Sequence, residues 1–206
     1  MPKLVERYVS AWTDDSVRII ASPSAFARKA LIYIQEVGSF RTLPGYYTER
    51  ANLDSFLIAY IVRGSGRLYT EDYPTSHPRA GDLFFIDCMK RHLYETDDND
   101  PWELLWVHFN GGASRSFHEL FARLSSPLLR IPETSAIPGL LRRLIEFRRP
   151  FTAMSEMLEH RTVTELLTET VNPAIALGGP DVAAPKFVAD VRDELDRRFC
   201  EQLRLD

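Results

Sequence analysis

The residues that could do chemistry here are few: two histidines, a glutamate, and aromatic side chains with polar tips. His92, Glu103 and His108 are the candidates for a general base, but no serine, cysteine or histidine stands in a recognisable nucleophile motif. Cys88 and Cys200 lie far apart and form no C-x-x-C or metal-spaced set, so they read as two reduced thiols. Tyr94 stands two residues beyond His92, and Trp106 lies in the run Trp102 to Phe109. On a strand, residues two apart share a face, so Tyr94 joins His92, and Trp106 joins Trp102, Leu104 and His108. An indole stacked under a sugar or a ring, with imidazole and phenol donors around it, would make a small-molecule site. The same side chains serve equally well as core aromatics with their N–H and O–H groups satisfied. Tyr33 and Gln35, on an early strand, are further candidates from alternation alone.

The elements that must position these groups divide the chain in two. Ser55 to Val62 (SFLIAYIV) is a β-rich run, Arg63 to Gly66 is a turn, and Arg67 to Thr70 begins a returning strand. Asp82 to Ile86 (DLFFI) reads as a buried strand after a Pro78 to Gly81 turn, and 102–109 is apolar on both faces, as in a barrel wall backed by another layer. Beyond Gly111-Gly112 the period changes. Phe117, Leu120, Phe121 and Leu124 form one helical stripe, and a second helix is predicted from Ile137 to Arg149, with Arg148 inside its apolar arc. In a third, Phe151, Met154, Met157 and Leu158 oppose Val163, Leu166, Leu167 and Val171. That helix either breaks near His160 or is covered on both sides, as a dimer seam would be. Asn172 to Pro185 has linker composition, and a last amphipathic helix runs from Lys186 to Leu203.

Strands first and helices last predict a mainly β fold with added α, and the likeness of Gly81 to His92 to a cupin motif implies a cupin-like jelly-roll β-barrel followed by C-terminal helices. The expected divisions are an arm and barrel over 1–112, a helical dimerisation region over 113–177, and a linker with the start of a further domain over 178–206.

Two resemblances sharpen this reading. Gly81 to His92 resembles the second motif of the cupins, although Asp87 and Met89 replace its Pro and Gly. In metal-dependent cupins this histidine joins an H-x-H pair on an earlier strand, and here that strand reads Ile58-Ala59-Tyr60-Ile61-Val62. One imidazole is too few for a divalent ion that takes three or more protein ligands, so no metal or other cofactor is expected. The runs Ser55 to Gly66, Ala80 to Ile86 and, above all, Pro101 to Gly111 (PWELLWVHFNG) together resemble the sensory domain of AraC/XylS-type transcription regulators, in order and in spacing.

The resemblance implies a small-molecule effector inside the barrel, a sugar among the candidates. It implies a ligand set in which Tyr94 and Trp106 match sugar-holding positions, Arg50 matches a hydrogen-bonding arginine, and His92 lies beside them. Leu104 stands where an arabinose-binding member has histidine, which argues against arabinose itself. It further implies an arm near Trp12 to Phe26 that shifts on binding, a homodimer through helices within 137–171, and DNA contact only through a C-terminal helix-turn-helix domain. Phe187 to Asp206 looks like that domain's opening helix, so the chain reads as a truncated regulator. The competing reading is a metal-free cupin-like enzyme acting on a small sugar-like molecule. A third is a barrel filled by its own side chains, serving only to dimerise.

Composition agrees with a sensor more than with a DNA-binding unit. The 206 residues carry 25 Lys and Arg against 29 Asp and Glu, a net charge of −4, whereas a domain gripping phosphates usually has excess positive charge. No apolar run reaches the roughly 18 to 20 residues needed to cross a bilayer, and no signal-peptide core precedes Ala30. A cytoplasmic protein without membrane partners is the expectation.

Overall fold

Alternation in the first half resolves into ten strands, an eleventh follows in the helical region, and among the described residues all of them pair antiparallel. The structure, a computed structural model, describes residues 3–147 and 153–177. Its elements are β1 (Val5–Val9), β2 (Val17–Ile20), α1 (Ala25–Ala30), β3 (Tyr33–Arg41), β4 (Tyr47–Ala51), β5 (Phe56–Arg63), β6 (Gly66–Thr70), β7 (Tyr73–Ser76), β8 (Asp82–Asp87), β9 (His92–Thr96), β10 (Glu103–Asn110), α2 (Ser114–Leu124), β11 (Leu128–Arg130), α3 (Ile137–Glu146) and α4 (Ala153–Leu177). One sheet runs β1-β4-β9-β6-β7 and the other β11-β8-β5-β10-β3-β2. Both have free edges, so the predicted closed barrel is instead a two-sheet sandwich of cupin-like form. Its interior is a layer between sheets rather than the lumen of a tube.

Because side chains alternate, each central strand of the six-stranded sheet feeds two cores. Leu57, Ala59, Phe84, Ile86, Leu104 and Trp106 point between the sheets, where Leu68 and Tyr94 meet them. Ile58, Leu83, Phe85, Leu105, Val107 and Phe109 point outward into a second apolar cluster that the helices complete. That double use explains why 102–109 is apolar on both faces.

The helices are stitched to this outer face in three ways. Strand β11, which the sequence reading missed, returns from the helical region to pair with β8. Phe121 of α2 and Leu141 and Leu144 of α3 join Val163, Leu166, Leu167 and Val171 of α4 in the outer cluster. Glu156 of α4 accepts hydrogen bonds from the backbone N–H (2.6 Å) and hydroxyl (2.7 Å) of Ser24, the residue that caps α1.

Helix α4 is one continuous element, without the break considered near His160. It also runs through Pro173 to Leu177, into the segment assigned to a linker. Its Val163 to Val171 side is buried, while Met154 and Met157 are exposed. Helix α3 ends at Glu146. The expectations for Arg148, for Phe151 and for everything from residue 178 onward, including the last helix, lie outside the described residues.

Two glycines show how tightly the layers fit. A Cβ at Gly38 on β3 would lie 2.2 Å from the Val17 carbonyl oxygen and 2.7 Å from the Trp106 indole, whereas a Cβ at Gly139 in α3 would meet nothing within 4 Å. Gly38→Ala is therefore expected to cost about 1–3 kcal/mol through overpacking. Gly139→Ala should stabilise the fold by up to about 1 kcal/mol through helix propensity. Urea denaturation of the two variants checks this contrast in sign.

Candidate functional site

The inner face of the five-stranded sheet carries a polar row. Registered pairing sets Glu6 of β1 opposite Arg50 of β4, Arg50 opposite His92 of β9, and His92 opposite Thr70 of β6. The next row is Tyr8, Thr48, Tyr94 and Leu68. Opposite-strand neighbours share a face, so both rows look toward the other sheet.

Arg50 is the centre of this arrangement. Its side chain is only 12% exposed, and its Nε donates to Glu6 at 2.6 Å. Its Nη1 lies 3.4 Å from the Tyr94 hydroxyl and 3.3 Å from His108 Nε2. Burial opposes the guanidinium charge, but the Tyr94 hydroxyl and the Glu6 carboxylate outweigh it and raise the Arg50 pKa. Arginine only donates, so His108 Nε2 accepts and its proton sits on Nδ1, 3.0 Å from the Ser55 hydroxyl, which in turn donates to the Phe56 carbonyl. Burial, then the Arg50 charge, holds the His108 pKa well below the usual histidine range.

Trp106 and Tyr94 flank this network in a narrow, partly open chamber of about 30 Å³, whose wall includes Tyr46, Thr48 and Phe40. The arm covers it: Tyr8 and Trp12 are part of the lining, and the Trp12 ring stacks on Phe40 at 4.5 Å with the planes 8° apart. Thirty cubic ångströms is room for one or two waters. The Trp106 indole N–H is buried in this wall without a partner. On the outer side of Arg50 a vestibule of about 260 Å³ opens, lined by Glu6, Arg18, Gln35, Glu36 and His108 among others. Arg18 pairs with Glu36 at 2.9 Å, so the charges around the mouth are balanced in pairs.

The structure thus gathers Arg50, Tyr94 and Trp106, and sets Gln35 beside Arg50 in the vestibule. Gln35 Nε2 donates to the Asp54 carbonyl, and its Oε1 is buried without a partner. Two expected members fall elsewhere. His92 stacks behind Tyr94, with ring centres 6.2 Å apart, but lines a separate cavity further along the same inner face. Tyr33 lines none of these three spaces and sits under the Arg28 guanidinium at the end of β3. A bulge explains the split on β3. The register shifts between His108 and Phe109, so Ile34 and Val37 both face the helices while Glu36 and Phe40 face the chamber.

Sequence reasoning missed Glu6, Tyr8, Arg18, Glu36, Tyr46 and Thr48. The signal for the first two was available: Val5 to Val9 alternates as a strand, and its polar partners Glu6 and Tyr8 share the inner face. Among the described residues no three His, Cys, Asp or Glu side chains gather at metal-binding spacing.

Burial, and to a lesser degree Arg50, lowers the His92 pKa to about 4 from the ordinary 6.5. Between these values the unfolded chain holds the proton more readily, so His92 contributes stability above pH 6.5 that is lost as the pH falls toward 4. In a histidine-ring NMR titration, His92 and His108 are expected to remain neutral at pH 5.5, and His92→Gln should reduce the acid-induced loss of stability. A ring that protonates above pH 6 would contradict this.

Comparison with known proteins gives the family and the fold. The family model for the AraC-like ligand binding domain matches residues 33–170. The raffinose operon transcriptional regulatory protein RafR of Pediococcus pentosaceus is 30% identical over 89 residues, covering 43% of this chain and 31% of that protein. The Msm operon regulatory protein of Streptococcus mutans is 22% identical over 176 residues, covering 84% of this chain and 63% of that protein. The chain therefore spans less than two thirds of these relatives' lengths. Among solved structures, the AraC-like transcriptional activator CuxR shares the fold, with a TM-score of 0.51 at 11% identity over 98% of this chain and 72% of that one. The family match takes in the strands that carry Arg50, Tyr94 and Trp106, and the chain belongs to the AraC-like ligand-binding domain family.

Proposed function

We propose that the chain is the effector-sensing part of a transcription regulator, and that the effector is a small, uncharged, hydroxyl-rich molecule of the sugar class. The observation that carries this reading is the Trp106 N–H, a buried donor without a partner, set in a chamber with the Arg50, Tyr94 and His108 network. A buried unpaired donor costs free energy that a ligand oxygen would recover. The paired charges, Arg50 with Glu6 and Arg18 with Glu36, favour a neutral ligand over an ion. One relative is named for a raffinose operon, which fits the same class.

A sugar ring does not fit 30 Å³. It enters from the vestibule as Tyr8 and Trp12 withdraw, so the effector binds the arm-displaced arrangement better than the covered one, and that difference in affinity is the signal. The arm is tied to α4 through Ser24 and Glu156. Its movement therefore bears on the helix whose exposed Met154 and Met157 belong to a homodimer seam. The complete regulator would work in the cytoplasm and touch DNA through a further domain, and this portion acts by binding, not by catalysis.

Calorimetry against a panel of neutral sugars is expected to find a binder, and Trp106→Phe should weaken it by roughly 5- to 100-fold, the worth of one buried hydrogen bond. Unchanged affinity in the variant would refute this site. Sedimentation at micromolar concentration should show a dimer that Met157→Glu weakens; a monomeric wild type would refute the seam.

A further inference from the structure

The polar row across the five-stranded sheet does not end at the chamber. Glu6 and Arg50 serve the mouth under the arm, whereas His92 and Thr70, next in the row, open onto a different cavity of about 300 Å³. It lies where β6, β7 and β9 face β8 beneath helix α2, and a hydrogen bond from the Tyr73 hydroxyl to the Ala122 carbonyl (3.2 Å) straps the helix over it. This is ample room for a monosaccharide-sized molecule, as the covered chamber is not.

The deep wall of the cavity is unsatisfied. His92 is 1% exposed; its Nδ1 lies 2.9 Å from the Lys90 carbonyl, which can only accept, so Nδ1 carries the proton. Its Nε2 is then a bare acceptor, and it has no partner. The neighbouring Thr70 hydroxyl, in a residue 8% exposed, has none either. Two polar groups on cross-strand partner residues in this state ask for a partner that both donates and accepts. Burial keeps His92 uncharged down to a pH of about 4, and lowers the His118 pKa as well.

The rim carries charge, but it is spent. Lys90 pairs with Asp72 at 2.5 Å, Arg91 with Glu49 at 2.6 Å, and Arg115 with Asp87 at 3.3 Å. An ionic ligand would have to break one of these pairs, and an uncharged one would not. Phe85, Ile86 and Pro127 give the remaining wall an apolar surface on which the C–H face of a ring can rest.

We propose that this cavity is a second small-molecule site, distinct from the arm-covered chamber, which takes an uncharged molecule with vicinal hydroxyls and an apolar face through His92 Nε2 and the Thr70 hydroxyl. The site stands whether or not the first chamber binds an effector.

The test uses the full chain, labelled with nitrogen-15, and follows the histidine-ring nitrogens during titration with D-glucose, D-xylose and myo-inositol at millimolar concentration. At least one of the three is expected to move the His92 Nε2 signal upfield, as a lone pair does on accepting a hydrogen bond, with a companion shift at His118. The response should keep its titration midpoint in Trp106→Phe, which weakens binding in the chamber, and should weaken roughly tenfold in the near-isosteric Thr70→Val. If none of the three moves His92 Nε2, or if the shift disappears in Trp106→Phe, the second site is refuted. Chamber binding, read from calorimetry in Thr70→Val, is judged separately, so failure of one site is not failure of the other.

Discussion

A guanidinium held between two sheets must be answered by acceptors, and most of the candidate site follows from that requirement. Arg50 lies on an inner face with 12% of its side chain exposed. Leaving such a charge unpaired would cost several kcal/mol, about 3–5 where one partner of a buried pair is removed. Glu6 answers it from the arm, and His108 and Tyr94 answer it from the two facing sheets. The same bond fixes the His108 tautomer, and through it the Ser55 hydroxyl. An element with only five residues, all exposed, thereby gains a specific reason to lie along β4.

On the proposed reading, this dependence gives the arm two competing states. Covered, it supplies a carboxylate to Arg50 and aromatic surface from Trp12 to Phe40. Displaced, it leaves those groups to whatever enters from the vestibule. In that reading the balance between the states is set by local chemistry, and its consequence would be carried further by the Ser24 to Glu156 contact, which joins the α1 cap to the long helix. Burial and then Glu156 raise the Glu159 pKa to about 7, so the helix beside this contact carries a group that titrates near neutrality.

Much of this was legible in the sequence, and the gaps have physical causes. The 55–70 hairpin, the buried DLFFI strand and the two-faced 102–109 strand could be read because alternation and turn residues coincide there. Helices α2 and α3, after Gly111-Gly112, were readable from their stripes. The sheet's closure was not, because a strand pattern gives local faces but not whether the edges meet. The continuity of α4 was hidden because its exposed methionines mimic a change of face. His92 and Tyr94 do share a face, as alternation required, yet they line different spaces. Sequence spacing places residues in a row, and only the packing between the sheets decides where one cavity ends and the next begins. The arm's contribution was lost for a similar reason: Glu6 matters through its cross-strand partner, 44 residues away.

The most direct test is hydrogen exchange of the β1 amides, Val5 to Val9, in Glu6→Gln against the wild type. If the Glu6–Arg50 pair holds the arm over the chamber, protection along β1 should fall by roughly tenfold or more, as loss of a charge-assisted bond requires, while β5 and β10 remain protected. Unchanged protection of β1 would mean that something other than this ion pair holds the arm, and the account of a charge-latched sensor would be wrong.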